Sequence, residues 1–258
     1  MNKLFLDIGN SFVKWSSVID GQYETYEAIR LIDILDDGFT DFEIDGYPDE
    51  VYISSVADAK KVDALKQLIQ SEWQIFPIQL FSQKSCCGLT SGYEDFHLLG
   101  ADRWFAMQGA IGVYKEPTIV IDAGTALTVD AVINGKHLGG FIVPGIHTMR
   151  RSLSLDTANL QDYSSSQVAN ADIQIPDADQ LLANDTSSAI LGGTLYMTVA
   201  FINRIIQDLN TQVGTQFKVV MTGGESLELC PLLDFPYDYI PDLVLQGMVN
   251  VVESVKKS

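Results

Sequence analysis

Two stretches of the chain repeat one arrangement of apolar and polar positions. In Lys3 to Ile8, the apolar run Leu4 to Leu6 ends at Asp7, and a short segment that alternates so poorly predicts a buried strand. Phe12 to Ile19 predicts a second strand, Asp20-Gly21 is a hairpin dipeptide, and Gln22 to Ile29 predicts a third. Later, Thr118 to Ile121 is apolar and β-branched, Asp122-Ala123-Gly124-Thr125-Ala126 follows, and Leu127 to Ile133 predicts the next strand. Asn134-Gly135 is again a hairpin dipeptide, with Lys136 to Val143 beyond it. Asp7 and Asp122 hold equivalent places, as do Gly9 and Gly124. Chance could supply either copy, but two in matching order predict a duplicated unit.

Strand and helix signals follow each meander. Val51 to Val56 and Ile75 to Phe81 predict strands around a helix from Asp58 to Trp73, with Asp58 as its cap. Ala101 to Tyr114 predicts a helix entered at Gly100. In the second half, Thr186 to Leu209 predicts a long helix carrying Gly192, Gly193 and Thr194. Lys218 to Met221 predicts a strand running into Thr222-Gly223-Gly224. Leu243 to Val255 closes the series as a helix with Leu245, Met248, Val249 and Val252 on one face. A boundary near Lys115 to Pro117 divides the chain into an N-terminal domain, 1–115, and a C-terminal domain, 116–258. The polar stretch from Ser154 to Asp172 reads as a surface loop or mobile flap.

Composition narrows the partners. With 258 residues, 47% of them hydrophobic, the chain can bury a sizeable core. No window reaches roughly 18 consecutive apolar residues, and Lys3 precedes a strand rather than a leader, so no membrane partner is expected. Cys86, Cys87 and Cys230 are odd in number and two are adjacent, which argues against a disulfide framework. A reduced, soluble, cytoplasmic protein is the expectation. The net charge of -18 argues against a nucleic-acid partner, because neutralising phosphates needs a basic face. An anionic substrate would then need local positive charge or a metal.

The two corners suit such a substrate. A glycine-containing loop after a strand lets backbone N–H groups face phosphate oxygens, and Asn10, Ser11 and Thr125 add side-chain donors. A carboxylate at the strand tip repels phosphate unless a cation stands between them. A plain hairpin with a glycine turn is the better explanation of one corner alone; the duplication reverses that balance in favour of phosphate. Two such corners from two halves would grip a nucleoside triphosphate. That is the phosphate-loop arrangement of the acetate kinase, sugar kinase, Hsp70 and actin superfamily. Thr222-Gly223-Gly224 resembles its adenosine loop, or is a glycine-rich strand end.

The ordered set DIGNS, LLGADRW (Leu98 to Trp104), DAGTALTVD, LGGFIVPG (Leu138 to Gly145) and DTSSAILGG (Asp185 to Gly193) resembles type III pantothenate kinase from Asp7 to about Gly224. The resemblance implies an α/β fold of two duplicated ribonuclease H-like domains with a nucleotide cleft between them. It implies ATP-dependent phosphorylation of pantothenate, the first step of coenzyme A synthesis, by a homodimer. Asp102 would be the general base, and Tyr93, Gly100, Ala101, Asp102, Arg103 and Thr186 would contact pantothenate. Asp7, Ile8, Gly9, Asn10, Ser11, Phe12, Val13 and Lys14, with Thr125, would contact ATP. Asp7 would organise Mg²⁺, and Asp122 a monovalent cation, K⁺ or NH₄⁺. The chemistry concurs, since phosphorylating an alcohol needs a proton acceptor and cations for the transferring group.

Plainer readings stand beside these roles. Asp-Arg at a helix start is commonly a cap with an ion pair, and Tyr93 or Thr186 could be partly buried hydroxyls. His97, His137 and His147 lack metal-ligand spacing and read as structural or surface residues. Asp130 belongs to the second motif without an assigned role. Two positions depart from the family: Ser11 replaces a usual threonine but keeps the hydroxyl, and Phe96 stands where proline is expected. The competing functions are a transcriptional accessory protein, which the acidic charge opposes, and a non-kinase ATPase, which has no need of the GADR cluster.

Overall fold

The computed structural model describes residues 1–40, 42, 47–156 and 182–256. The first half contains β1 (Asn2–Ile8), β2 (Phe12–Ile19), β3 (Gln22–Thr25), β4 (Ile29–Arg30), α1 (Leu31–Asp37), β5 (Glu50–Ser55), α2 (Ala59–Trp73), β6 (Ile78–Gln79), β7 (Ser85–Cys86), β8 (Leu89–Thr90) and α3 (Ala101–Val113). The second contains β9 (Thr118–Ala123), β10 (Ala126–Ile133), β11 (Lys136–Pro144), α4 (Ile146–Asp156), α5 (Thr186–Val213), β12 (Lys218–Thr222), α6 (Ser226–Leu229), β13 (Tyr237–Tyr239) and α7 (Leu243–Lys256).

One strand plan is used twice. In the first sheet β2 is antiparallel to β1 and β3, while β5 is parallel to β1 and β6 to β5. The order is β3-β2-β1-β5-β6, with β4 on β2. The second sheet runs β13-β12-β9-β10-β11-β8-β7, with β12 parallel to β9 and β13 to β12. Read from the meander outward, β11-β10-β9-β12-β13 matches β3-β2-β1-β5-β6 place for place. This is an α/β chain of two duplicated ribonuclease H-like sheets. The hairpin dipeptides behave as their residue types require. Asp20 and Gly21 have φ of 50° and 83°, and Asn134 and Gly135 of 50° and 71°, left-handed at both turn positions.

By contact density the chain falls into two compact units. The first comprises Met1–Lys115, Val132–Gly139 and Asp242–Ser258, and the second Glu116–Ala131 and Gly140–Pro241. The first unit's core joins Leu4, Leu6, Ile8 and Val13 of the sheet to Leu31 and Ile34 of α1 and to Val62, Leu65 and Ile69 of α2. Its other face holds α3, whose residues 103–110 are all buried, as expected of a helix covered all round. The partner of α3 is α7, and the two approach backbone to backbone. A β-carbon on Gly247 would run into the Phe105 carbonyl, and one on Gly109 into the Leu243 carbonyl. Lys3 of β1 forms an ion pair with Glu253 of α7.

Several elements differ from the sequence reading. The third strand ends at Thr25; the Tyr26 N–H still donates to the Trp15 carbonyl at 3.3 Å and its ring stacks on Trp15 at 3.9 Å, and pairing to β2 resumes at Ile29–Arg30. The strand expected over Ile75 to Phe81 shrinks to Ile78–Gln79, with Phe76 and Phe81 exposed. Helices α1 and α4 were not foreseen. Ser154 and Leu155 belong to the last turn of α4, and most of the stretch read as a flap lies outside the described residues. Helix α5 extends to Val213, where Gly214 adopts φ 71°. By length and composition α5 is long and apolar enough to cross a membrane. Its buried residues Ile190, Leu191, Thr194, Leu195, Thr198, Ile202 and Ile206 instead form one stripe, and Arg204 pairs with Asp208 on the exposed side at 2.8 Å.

The α3–α7 contact makes a direct prediction. Gly247→Ala forces a methyl against a backbone carbonyl that cannot rotate away. The expected cost is about 1–3 kcal/mol of unfolding free energy, read as a lower denaturant midpoint, whereas Gly192→Ala, where a β-carbon meets open space, lowers nothing.

Candidate active site

The first corner closes the tip of β1. Asp7, half-buried, stands across the ladder from Lys14 and beside Ser54 of β5, so a cation and a carboxylate share one patch of the sheet. The Gly9 N–H donates to the Phe12 carbonyl at 2.9 Å, which folds the loop back while Asn10 and Ser11 stay exposed. The Asn10 carbonyl accepts from Lys61 Nζ at 3.2 Å. In the sequence the Lys60-Lys61 pair lies some fifty residues from this corner. The fold carries it to the corner because β5 runs parallel to β1 and α2 starts at the same end of the sheet.

The GADR segment lies in the same unit. Gly100 caps α3 in an extended conformation, and Asp102 Oδ1 accepts the Arg103 backbone N–H at 2.7 Å. The Arg103 side chain is 4% exposed, and its Nη1 donates to the Tyr93 hydroxyl at 2.8 Å. Its guanidinium carbon stands 5.6 Å from the Tyr93 ring centroid. The buried His137 stacks on that ring at 5.9 Å, so this histidine helps to place Tyr93. A 3₁₀ turn, Phe96–Leu98, capped by Asp95, fills the segment where the family's proline was expected.

A cavity of about 210 Å³ lies between the end of β5 and the start of α3. Gly100 and Ala101 line it with Ser55, Phe81, Ser82 and Leu98 among others. Ser55 Oγ and the Val56 N–H both donate to the Ile8 carbonyl, at 3.1 and 3.3 Å. Its wall is therefore bonded to the tip of β1 on one side and continues into the first turn of α3 on the other.

The second unit holds Asp122, Thr125 and Thr186. Asp122, half-buried, ends β9 opposite Thr222 of β12. The Gly124 N–H donates to the Ala126 carbonyl at 3.1 Å, so this corner is one residue shorter than the first. The Thr125 carbonyl accepts from the Gly145 N–H at 3.0 Å and Thr148 Oγ1 at 2.7 Å, leaving the threonine side chain exposed. Gly223 has φ 90°, and a β-carbon there would meet the Ala123 carbonyl and the Asp122 carboxylate. Thr186 opens α5 and is exposed, behind Asp185, whose carboxylate accepts the Ser188 N–H at 2.9 Å.

Glu225, which the sequence reading missed, ties this second corner together. Its N–H donates to the Ala123 carbonyl at 2.9 Å, while its buried carboxylate accepts from the Ile146 and His147 N–H groups at 2.8 and 3.2 Å. One residue thus joins the glycine-rich turn after β12, the corner after β9 and the start of α4. Burial raises the Glu225 carboxyl against the lowering by those amides. Nearby, His147 Nε2 lies 3.1 Å from Glu228, which also faces Arg150 at 3.6 Å. The Glu228 hydrogen bond raises His147, and the same bond lowers Glu228.

A family model for type III pantothenate kinase matches residues 3–208. The chain belongs to that family. It is 42% identical over 254 residues to a type III pantothenate kinase of Hydrogenovibrio crunogenus, covering 98% of this chain and 99% of that one. Among solved structures, one from Campylobacter jejuni assigned to the Baf family of transcriptional activators superposes with a TM-score of 0.60 at 23% identity. It covers 99% of this chain and 100% of its own, and speaks to fold alone. A Sinorhizobium meliloti structure assigned as a 2-dehydro-3-deoxygalactonokinase gives a TM-score of 0.50 at 13% identity, over 98% and 99% of the two chains. Members of the pantothenate kinase family use ATP, which suits the exposed polar residues Asn10, Ser11 and Thr125 at the strand tips.

The histidine cluster sets a pH dependence. Because folding raises His147 above its ordinary 6.5, its stabilisation is complete below that value and is lost as pH rises through the folded-state value. Glu228, lowered from 4.5, stabilises above 4.5 and loses this as pH falls through its folded-state value. Wild-type thermal midpoints should therefore decline between about pH 6 and 8 more steeply than those of His147→Gln. Parallel curves would assign the histidine no such part.

Proposed function

We propose that the chain transfers the γ-phosphoryl group of ATP to the hydroxymethyl oxygen of pantothenate, giving 4'-phosphopantothenate, the first step of coenzyme A synthesis. One observation carries the reading: within a chain of this family, Asp102, Arg103 and Tyr93 cluster where α3 begins, and the cavity beside them is bonded to the first phosphate corner.

The roles follow from position and charge. Asp102, half-buried on the first turn of α3, accepts the hydroxyl proton as the new O–P bond forms. Arg103, aimed by the Tyr93 hydroxyl, binds pantothenate's carboxylate or the transferring group; its planar donors suit either. Gly100 and Ala101 shape the cavity, and Thr186 contributes a hydroxyl to the same substrate. Residues 7–14 and Thr125 receive ATP, with Lys61 added beside Asn10.

Cations are required by the charge balance. Among the described residues no group of three or more His, Cys, Asp or Glu side chains forms a ready-made metal site. Asp7 fits a Mg²⁺ ion completed by phosphate oxygens and water, which is how that ion is usually held beside nucleotides. Asp122, beside Thr125 and Gly223, fits a monovalent cation, K⁺ or NH₄⁺. Held by Asp7 and Asp122, the two ions would supply positive charge to offset that of the phosphates. The apolar residues Phe141, Ile142, Tyr196 and Met197 are each more than half exposed in the second unit, which suits burial in a homodimer.

A coupled assay for ADP release with and without pantothenate tests the reaction itself; release independent of pantothenate would overturn it. Asp102→Asn should reduce turnover about 10²- to 10⁴-fold with ATP binding retained. A near-normal kcat at neutral pH would remove Asp102 from the role. Replacing Na⁺ by K⁺ at constant ionic strength should raise the wild-type rate, and Asp122→Asn should lose that response.

A further inference from the structure

The β7–β8 hairpin has no part in the phosphoryl transfer described above, yet it carries the adjacent cysteines. Ser85 pairs with Thr90 and Cys86 with Leu89, leaving Cys87-Gly88 as a two-residue turn. Cys87 and Gly88 have φ of 50° and 85°. Asparagine, aspartate or glycine is the usual first residue of such a turn. A cysteine there strains its β-carbon against the backbone. Both thiols are free, their sulfurs stand 2.9 Å apart, Cys87 is exposed and Cys86 is half-buried. Burial pushes the Cys86 thiol up to about 12, so at neutral pH the pair keeps a proton.

Backbone spacing decides what this pair can bind. Disulfides normally join residues with Cα atoms roughly 4.4–6.8 Å apart, whereas adjacent residues are about 3.8 Å apart. A direct S–S bond therefore closes a cramped ring. One soft atom between the sulfurs relieves it: with bonds of about 2.3 Å and the roughly 95° angles of a pyramidal trivalent centre, the sulfurs stand about 3.4 Å apart. No third His, Cys, Asp or Glu joins the pair among the described residues, so a four-coordinate protein zinc site does not form. A trivalent centre that brings its own third substituent does fit.

We propose that Cys86 and Cys87 form a two-thiol chelation site for trivalent arsenicals, and that its occupation weakens pantothenate binding. With an organoarsenoxide, two As–S bonds form, and the oxygen leaves as water with both thiol protons. No oxidation state changes. The link to the substrate side runs both ways from the hairpin. Gln108 of α3 donates to the Cys86 carbonyl at 2.9 Å, five residues beyond Arg103. On the other side, the Ser91 N–H donates to the Lys84 carbonyl at 2.9 Å, and Ser91 Oγ accepts the Tyr93 N–H at 3.2 Å. This second half of the proposal rests on the functional reading above; the chelation itself does not.

Intact-mass spectrometry of the folded enzyme with phenylarsine oxide is the test. One adduct per chain is expected, released by 2,3-dimercaptopropanol but not by 2-mercaptoethanol, kept in Cys230→Ser and lost in Cys86→Ser and Cys87→Ser. Circular dichroism verifies that the variants fold. No adduct on the wild type, an adduct surviving in Cys87→Ser, or release by the monothiol overturns the site. At saturating ATP, the adduct should raise the KM for pantothenate severalfold, and Cys87→Ser should abolish that effect. An adduct with unchanged pantothenate kinetics overturns the coupling. Absence of pantothenate turnover in untreated enzyme sinks the functional reading instead, while the mass result still decides the chelation.

Discussion

The backbone contact between α3 and α7 is the constraint on which the substrate side rests. Asp102 and Arg103 occupy the first turn of α3, so their positions are only as fixed as that helix. Gly109 and Gly247 let the two helices approach more closely than side chains permit. Trp104, Phe105 and Met107 are buried alongside. The Tyr93 hydroxyl helps to set the direction of Arg103. A charged side chain so deeply buried gains from such a partner, because low local polarity strengthens each hydrogen bond and penalises each missing one.

Electrostatics shape the nucleotide side differently in the two units. A chain of net charge -18 must handle triphosphate with few cations. The first corner has Lys14 across the ladder from Asp7 and Lys61 on the Asn10 carbonyl, so protein charge is present there. Around the second, Thr125, Gly223 and Glu225 supply amides, carbonyls and one more carboxylate. Duplication produced the same strand order twice, yet the loops differ by a residue and the charges differ in sign.

What the sequence reveals divides by range. Both corners, both hairpin turns and the Asp58 cap depend on a few adjacent residues, and each forms as those residues demand. The family's motifs placed Asp102, Arg103 and Tyr93 in one substrate site, and the three do cluster in the first unit. Longer-range relations were hidden. Lys61 reaches the first corner only because two strands 47 residues apart in register run parallel. Glu225 follows a visible Thr-Gly-Gly, but its clamp on α4 needs that unforeseen helix. The end of β3 at Thr25 is equally hidden: the Tyr26 N–H still donates to the Trp15 carbonyl at 3.3 Å and its ring stacks on Trp15, a tertiary contact no local pattern records.

The return of α7 to the first unit has a consequence for biosynthesis. A chain emerging from the ribosome releases β1 through α3 early, and an independent N-terminal domain would fold at that point. Here the apolar face of α3 and the Lys3 ammonium wait for residues 243–256, which are made more than a hundred residues later. The nascent first unit passes through translation of the whole second unit with that face uncovered. Such an intermediate is a natural client for chaperones that hold apolar surface, and a stalled or nicked chain lacking α7 would be directed to proteolysis rather than accumulate as a half-built kinase.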